Sequence, residues 1–206
     1  MPSAVVLNKH QQKSEATRRK LLTSARHIFS RDGFEAARIE DIAAHAGHSR
    51  GAFYANFETK ESLFLALLEQ QVSEHINLLT DRLHCCKSDR EKIAALRQYF
   101  LERASDRQWS MLMLEFKLFA VRHPRIRGKL ARAHREIRVS AKQQIDALLA
   151  CTLMKGTEDA IRLSLEAVLN GLVLQHAYDP EMLPEDQLIL TLGHIFDALT
   201  QLTTTN

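Results

Sequence analysis

Proline and glycine are scarce in this chain, at four and seven residues of 206. Few segments are therefore forced to break, because these two residues are the strongest local interrupters of regular structure. No run of about 18 apolar residues occurs, so no membrane span is expected. The stretch from Met1 to Ser14 holds no apolar core of signal-peptide length, and export is not expected. Cysteine is limited to Cys85, Cys86 and Cys151. An odd number without framework spacing fits a reducing cytoplasm rather than a disulfide scaffold. A phosphate-binding glycine loop, a nucleophile elbow and a metalloprotease motif are all missing. An enzyme on a helical scaffold would thus have to work with scattered polar groups. No catalytic residue, metal ligand or cofactor is expected.

What is present is the composition of an ordinary globular protein, 45% apolar and 26% charged. The net charge of +3 is unevenly divided. Residues 1–60 carry ten Lys/Arg against six Asp/Glu, or +4, and the remainder carries eighteen against nineteen, or −1. A positive N-terminal part points to a polyanionic partner.

Helical periodicity runs through nearly the whole sequence, and strand-like alternation is hard to find. The fold class read from this is all-α. Leu21, Leu22, Ala25, Ile28 and Phe29 form one apolar stripe on a first helix, about Glu15 to Arg31. Gly33 can take the left-handed conformation that stops it. Short helices are expected from Ile39 to Ala46 and from Arg50 to Phe57, with Gly47 at the turn and Ser49 as cap. Thr59 caps a long fourth helix from Lys60 to about Leu83, with Ser62 where a full capping box has Glu. Further helices are expected over 89–104, 108–121, 124–150, 157–178 and 184–202.

Two short helices joined by a tight turn make the helix-turn-helix pattern. The helices cross closely, so Ala43, Ala46 and Gly47 supply small contact residues. The second helix must present small or polar groups at its N-terminal end, where base edges are reached. His48, Ser49, Arg50, Gly51 and Ala52 meet that need, and Phe53, Tyr54 and Phe57 anchor the helix. His45 and His48 lie three apart, but no carboxylate or cysteine cluster joins them as a metal site. Arg18, Arg19 and Lys20 read chiefly as a solvated helix face, the rival being contact with DNA.

The stretch Thr17 to Gln70 resembles the TetR family of bacterial regulators. Its most specific parts are Ile39-Glu40-Asp41-Ile42-Ala43 and the run from Gly51-Ala52-Phe53-Tyr54-Ala55-Asn56-Phe57 to Glu58-Thr59-Lys60-Glu61-Ser62-Leu63-Phe64. The resemblance implies that Arg50 and Gly51 read bases and that Tyr54, Asn56 and Lys60 touch phosphates. His48 and Ser49 fall in the same DNA-binding group. Arg38 departs from the Thr or Ser usual before the second helix. It cannot cap, but it can reach a phosphate.

The implied organisation is a flexible arm at residues 1–14, a three-helix helix-turn-helix DNA-binding domain at 15–60, and a larger helical ligand-binding and dimerisation domain at 61–206. The expected partners are double-stranded palindromic operator DNA, a small-molecule effector and a second copy of the chain in a homodimer. The alternative is an architectural DNA-binding protein without ligand.

In the later region, the helix bearing Trp109, Met113, Glu115, Phe116 and Phe119 reads either as plain core or, as the resemblance implies, as the wall of an effector cavity together with Phe100 on the preceding helix. Glu115 stands out as a carboxylate among apolar neighbours, which can face solvent, pair with an arginine or bind a cation. The basic run Arg122 to Lys142 reads chiefly as a solvated face, its rival being attraction for an anionic ligand. Adjacent Cys85 and Cys86 leave a redox switch open. The last two helices are apolar on more than one side, so one side suits the chain's own core and the other a partner. Leu165, Val168, Leu172, Leu192, Ile195 and Phe196 are the expected dimer contacts.

Overall fold

A computed structural model describes residues 9–149 and 158–201. Cys151, Gly156, the expected cap Thr157 and the first eight residues of the expected arm lie outside them. All regular elements among the described residues are helices. They divide into two compact units: residues 9–71 with Phe119–His134, and Val72–Leu118 with residues 135–149 and 158–201.

The first unit opens with α1, Lys9–Asp32. It begins six residues before the expected start at Glu15, so the described part of the arm is helix. Nothing in Lys9-His10-Gln11-Gln12-Lys13-Ser14 breaks a helix, and Thr17 Oγ1 donates to the Lys13 carbonyl at 3.0 Å. The expected apolar stripe is buried: Leu21, Ala25, Ile28 and Phe29 are at most 1% exposed and Leu22 is 8%. Gly33 ends the helix at φ 79°, with its amide bonded to the Phe29 carbonyl at 2.9 Å.

The chain then forms α2, Ile39–His45, and α3, Arg50–Tyr54. Gly47, at φ 71°, makes the turn between them. The third helix is shorter than expected because Ala55 caps it, and the Asn56 and Phe57 amides both close on the Phe53 carbonyl at 2.9 Å. Helix α4, Lys60–His84, starts with a reciprocal cap. The Ser62 amide donates to Thr59 Oγ1 and the Thr59 amide to Ser62 Oγ, each at 3.1 Å. Ser62 thus does what a glutamate does in the usual capping box.

An aromatic cluster fills the first unit. Phe29, Phe34 and Phe64 meet with centroid separations of 5.3–5.8 Å, and Phe34 and Phe64 stand edge to face at 77°. Phe119 joins them edge-on to Phe34 at 5.0 Å.

The second unit contains α5, Asp89–Ser105, most of α6, Arg107–Arg122, the later part of α7, Pro124–Leu149, and the pair α8, Glu158–Tyr178, and α9, Glu185–Gln201. Ser88 caps α5 by accepting from the Glu91 amide, and Asp106 Oδ1 accepts from the Trp109 amide at the start of α6. The core joins Phe100 and Ala104 of α5, Ile161, Leu165, Leu169 and Val173 of α8, and Leu188, Leu192 and Phe196 of α9. Among the described residues, no helix is long and apolar enough to cross a membrane.

Candidate DNA-reading surface and effector region

The helix-turn-helix is fixed from beneath. Ile42, Ala43 and Phe53 are at most 1% exposed and Phe57 is 4%. The Arg18 guanidinium lies 4.4 Å above the Phe57 ring, and its Nη1 donates to the Asn56 carbonyl at 3.4 Å. At least one of the arginines read as a solvated face therefore packs on the motif. Ser49 caps α3, accepting from the Ala52 amide at 3.2 Å. Its first residues thereby keep a defined direction, since a cap satisfies donors a helix start leaves open.

On the outer side, Arg50 and Gly51 are exposed and Tyr54 is 46% exposed. Arg50 and Tyr54 are one helical turn apart, and Arg50 Nη2 reaches Tyr54 Oη at 3.4 Å. Arg50 Nη1 also forms an ion pair with Glu40 Oε1 at 2.9 Å. The hydrogen bond to Tyr54, with the nearby Tyr54 and Glu40 oxygens, raises the Arg50 pKa above its ordinary value. A Cβ on Gly51 would meet only Ser49 Oγ, at 3.7 Å, so this surface is open beside Arg50.

Other expected contacts are differently placed. Arg38 precedes α2 with no side-chain cap bond and lies 3.9 Å from Glu40. His48 is half-buried, and its Nε2 is enclosed without a hydrogen-bond partner. That nitrogen faces inward. Asn56 Nδ2 donates to the Ala52 carbonyl at 2.8 Å, which commits its amide group to the end of α3.

Lys60 differs most from expectation. Its Nζ donates to the carbonyls of Glu35 and Ala37 at 2.8 and 2.9 Å and sits 5.0 Å from the Phe34 ring centroid. Partial burial lowers its pKa. The ammonium ties the start of α4 to the loop before α2, so its first task is structural. A lysine at a helix start reads as free charge in sequence, and carbonyls that converge only in the fold leave no local signal.

His45 pairs within the fold. Ser24 Oγ lies 2.6 Å from its Nδ1, and the His27 ring stacks on it at 4.6 Å. Among the described residues, no group of three or more His, Cys, Asp or Glu is placed to hold a metal.

In the second unit, Trp109, Met113 and Phe116 are buried on α6 at 7%, 7% and 2% exposure. Phe100 packs against Phe196 at 5.6 Å, inside the α5–α8–α9 core. Two expected cavity residues lie elsewhere. Glu115 is exposed, as the helical period requires of a residue between Met113 and Phe116 on the far side. Phe119 belongs to the first unit, edge-on to Phe34 and 4.1 Å from the His123 ring. A cleft of about 740 Å³ runs along α5 and α9, lined by Arg97, Leu101, Glu185, Asp186, Ile189 and Leu190. None of the expected cavity residues lines it.

Charged residues of this unit form a group that sequence reasoning missed. Glu166 on α8 holds Lys117 of α6 at 2.8 Å and Arg138 of α7 at 2.7 Å. Burial works to raise the Glu166 pKa. The hydrogen bond from Lys117 and the charges of Lys117, Arg138 and Arg103 outweigh it and hold the carboxyl below its usual range. Most other cations of the basic run are exposed, as a solvated face requires.

The expected dimer contacts turn toward the chain's own core. Leu165, Leu192 and Phe196 are buried in the chain's own core, and Val168, Leu172 and Ile195 pack half-buried against it. The exposed stripe of α8 is instead Leu163, Ala167, Gly171, Leu174 and Tyr178, and that of α9 is Leu190, His194 and Ala198. Each falls on one face at helical spacing. Two-sided apolarity was legible in the sequence. Which side faces inward was not, because the more hydrophobic stripe went to the core.

Two sequence profiles match the chain. The bacterial regulatory proteins of the tetR family match residues 21–67, and the C-terminal part of BetI-type transcriptional repressors matches residues 90–201. The chain belongs to the TetR family of bacterial transcriptional regulators. It is 39% identical over 64 residues to the HTH-type transcriptional regulator YerO of Bacillus subtilis, covering 31% of this chain and 22% of that protein. The matched part spans 22–39% of the first three curated relatives. A transcriptional regulator of Saccharomonospora viridis in complex with choline superposes with a TM-score of 0.66 and 20% identity, over 87% of this chain and 95% of that one. The regulator FadR of Bacillus subtilis in complex with stearoyl-CoA gives 0.64 and 16%, over 88% and 97%. At such identities these structures share the fold.

Proposed function

We propose that this chain is a dimeric repressor that binds a palindromic operator and whose affinity for it is set by a small-molecule effector. The observation that carries the reading is the capped and anchored α3, with Arg50, Gly51 and Tyr54 exposed together on the unit where positive charge is concentrated. Arg50 reads a base edge, best matched by the acceptors of guanine, and Tyr54 binds phosphate. Dimerisation uses the exposed stripes of α8 and α9. The α8 stripe holds no ionisable acid or base among Leu163, Ala167, Gly171 and Leu174 and is apolar over about three turns, which suits a four-helix interface.

Effector control is supported by the family and by two related folds that hold choline and stearoyl-CoA. One is a cation and the other an acyl thioester, so they do not fix the effector's charge. Buried Trp109, Met113 and Phe116 offer an adaptable apolar wall. Control passes through helices that contribute to both units. These are α4, α6 and α7. Coupling of this kind is reciprocal and typically amounts to about 1–3 kcal/mol.

The test is selection of duplexes from a randomised pool by the purified chain. A palindrome is expected, with half-sites about 34–36 Å apart, or one helical turn. Arg50→Ala should relax preference at one base position per half-site by roughly tenfold. Enrichment of no sequence would remove the repressor reading.

A further inference from the structure

Glu40 stands in the first turn of α2, ten residues before Arg50, and the reading above gives it no task. Its Oε1 accepts from Arg50 Nη1 at 2.9 Å, while Arg38 Nε lies 3.9 Å from Oε2. One carboxylate therefore stands between Arg38, which precedes α2, and Arg50, which opens α3. On its other side the Arg50 guanidinium reaches Tyr54 Oη at 3.4 Å and lies 5.5 Å from that ring's centroid. The side chains of Arg50, Glu40 and Arg38 are 62%, 42% and 72% exposed. Ion pairs so exposed contribute little to folding. What this one fixes is where the guanidinium points.

We propose that Glu40 is a specificity-setting residue that positions Arg50 for a base edge and keeps it from the phosphates. The inference rests on the reading of Arg50 as the base-reading side chain. A guanidinium has five donors in a rigid fork, and Glu40 takes one nitrogen, which leaves Nε and further hydrogens for a bidentate contact. An unrestrained arginine would turn to the nearest phosphate, a contact that carries no sequence information. The Glu40 carboxylate repels phosphate and so penalises the non-specific complex. In the specific complex the guanidinium lies between it and the DNA. Discrimination then comes partly from weakening the wrong complex.

The experiment compares the full chain with Glu40→Gln, Arg50→Ala and the double variant. The probes are the duplex that the unaltered chain selects from a randomised pool, its single-base variants, and a scrambled duplex of the same composition. Affinities are measured at several potassium chloride concentrations. Glu40→Gln should bind the scrambled duplex more tightly, with a steeper salt dependence. The ratio of selected to scrambled affinity should fall roughly tenfold, within the range expected for one base position. The lost preference should lie at the base position that Arg50→Ala relaxes. In the Arg50→Ala background, adding Glu40→Gln should change base preference no further. If Glu40→Gln tightens every duplex by one factor, Glu40 is only a surface charge and the inference is overturned. The same holds if its effect on base preference persists without the Arg50 side chain. If Arg50→Ala keeps full base preference, the reading of Arg50 itself falls and takes the inference with it. Thermal unfolding of Glu40→Gln should match the unaltered chain.

Discussion

The first unit is held by aromatic rings and helix caps, and the second by aliphatic stripes and ion pairs. In the first, Phe29, Phe34, Phe53 and Phe64 are at most 1% exposed, and three of them meet in one cluster. In the second, leucines of α8 and α9 dominate the core, and Glu166 bonds to two cations. Helices of five and seven residues are too short to be stable alone, so they need caps and large side chains that reach the core. Helices of 17–26 residues carry more apolar surface than one core can use. The excess is free to meet a partner or a ligand. The first unit is therefore built to hold one shape, and the second leaves apolar side chains exposed on α8 and α9.

The largest expected effect tests that excess directly. Leu192 is fully buried, and Leu174 on α8 is 45% exposed. Leu192→Asp places a charge in the core with no partner and should destabilise the fold by about 4 kcal/mol or more. Leu174→Asp should leave helicity and unfolding temperature nearly unchanged and convert dimers into monomers. Circular dichroism and sedimentation separate the two outcomes. A folded Leu174→Asp dimer would move the interface away from the α8 stripe. Leu172→Asp, at a half-buried position against the core, should behave like a weaker Leu192→Asp.

A smaller effect is expected at Glu166. The partners Lys117 and Arg138 keep 37% of their side-chain surface exposed, so solvent screens the group in part. Glu166→Gln should cost about 1–3 kcal/mol of stability, less than a fully buried ion pair. Its pKa is lowered below 4.5 in the folded chain. The carboxylate's contribution is therefore complete above about pH 4.5, the unfolded value, and is lost as pH falls through the lower folded one. Urea unfolding at neutral pH and at successively lower pH should show the difference between variant and parent shrinking on acidification. A constant difference would mean that Glu166 acts through packing rather than charge.

The two units were also unequally legible. In the first, each signal is local: Gly33 and Gly47 at positive φ, Ser49 as cap, and a stripe on α1 that is buried residue for residue. Spacing also places Arg50 beside Tyr54. It does not place Glu40 beside Arg50, because that pair depends on how α2 crosses α3. In the second unit the helices themselves were legible, to within a few residues. Which of two apolar stripes the core would take was not, and Glu166 gave no hint that cations from two other helices would converge on it. The resemblance put Glu115 and Phe119 in the effector region as a stretch, whereas helical phase turns one to solvent and the other lies past the division between the units.

The smallest effect is expected at Lys60, where the resemblance and the geometry point to different roles. As a phosphate ligand, Lys60 would contribute through counterion release, and its loss would flatten the salt dependence of DNA binding. Its Nζ is instead committed to the carbonyls of Glu35 and Ala37, and an ammonium has three donors. Two are used within the chain. Lys60→Ala should therefore lower stability by about 1–2 kcal/mol, because two carbonyls lose a charged donor and the loop before α2 loses its tie. DNA affinity should fall for all duplexes alike, since α2 and α3 shift together. The slope of affinity against salt should stay close to that of the unaltered chain. Lys60→Met, which keeps the apolar stem over Phe34 but not the donors, should reproduce most of the loss. A clear flattening of the salt slope in both variants, with stability unchanged, would return Lys60 to the phosphate backbone. The contacts to Glu35 and Ala37 would then belong to the DNA-free chain alone.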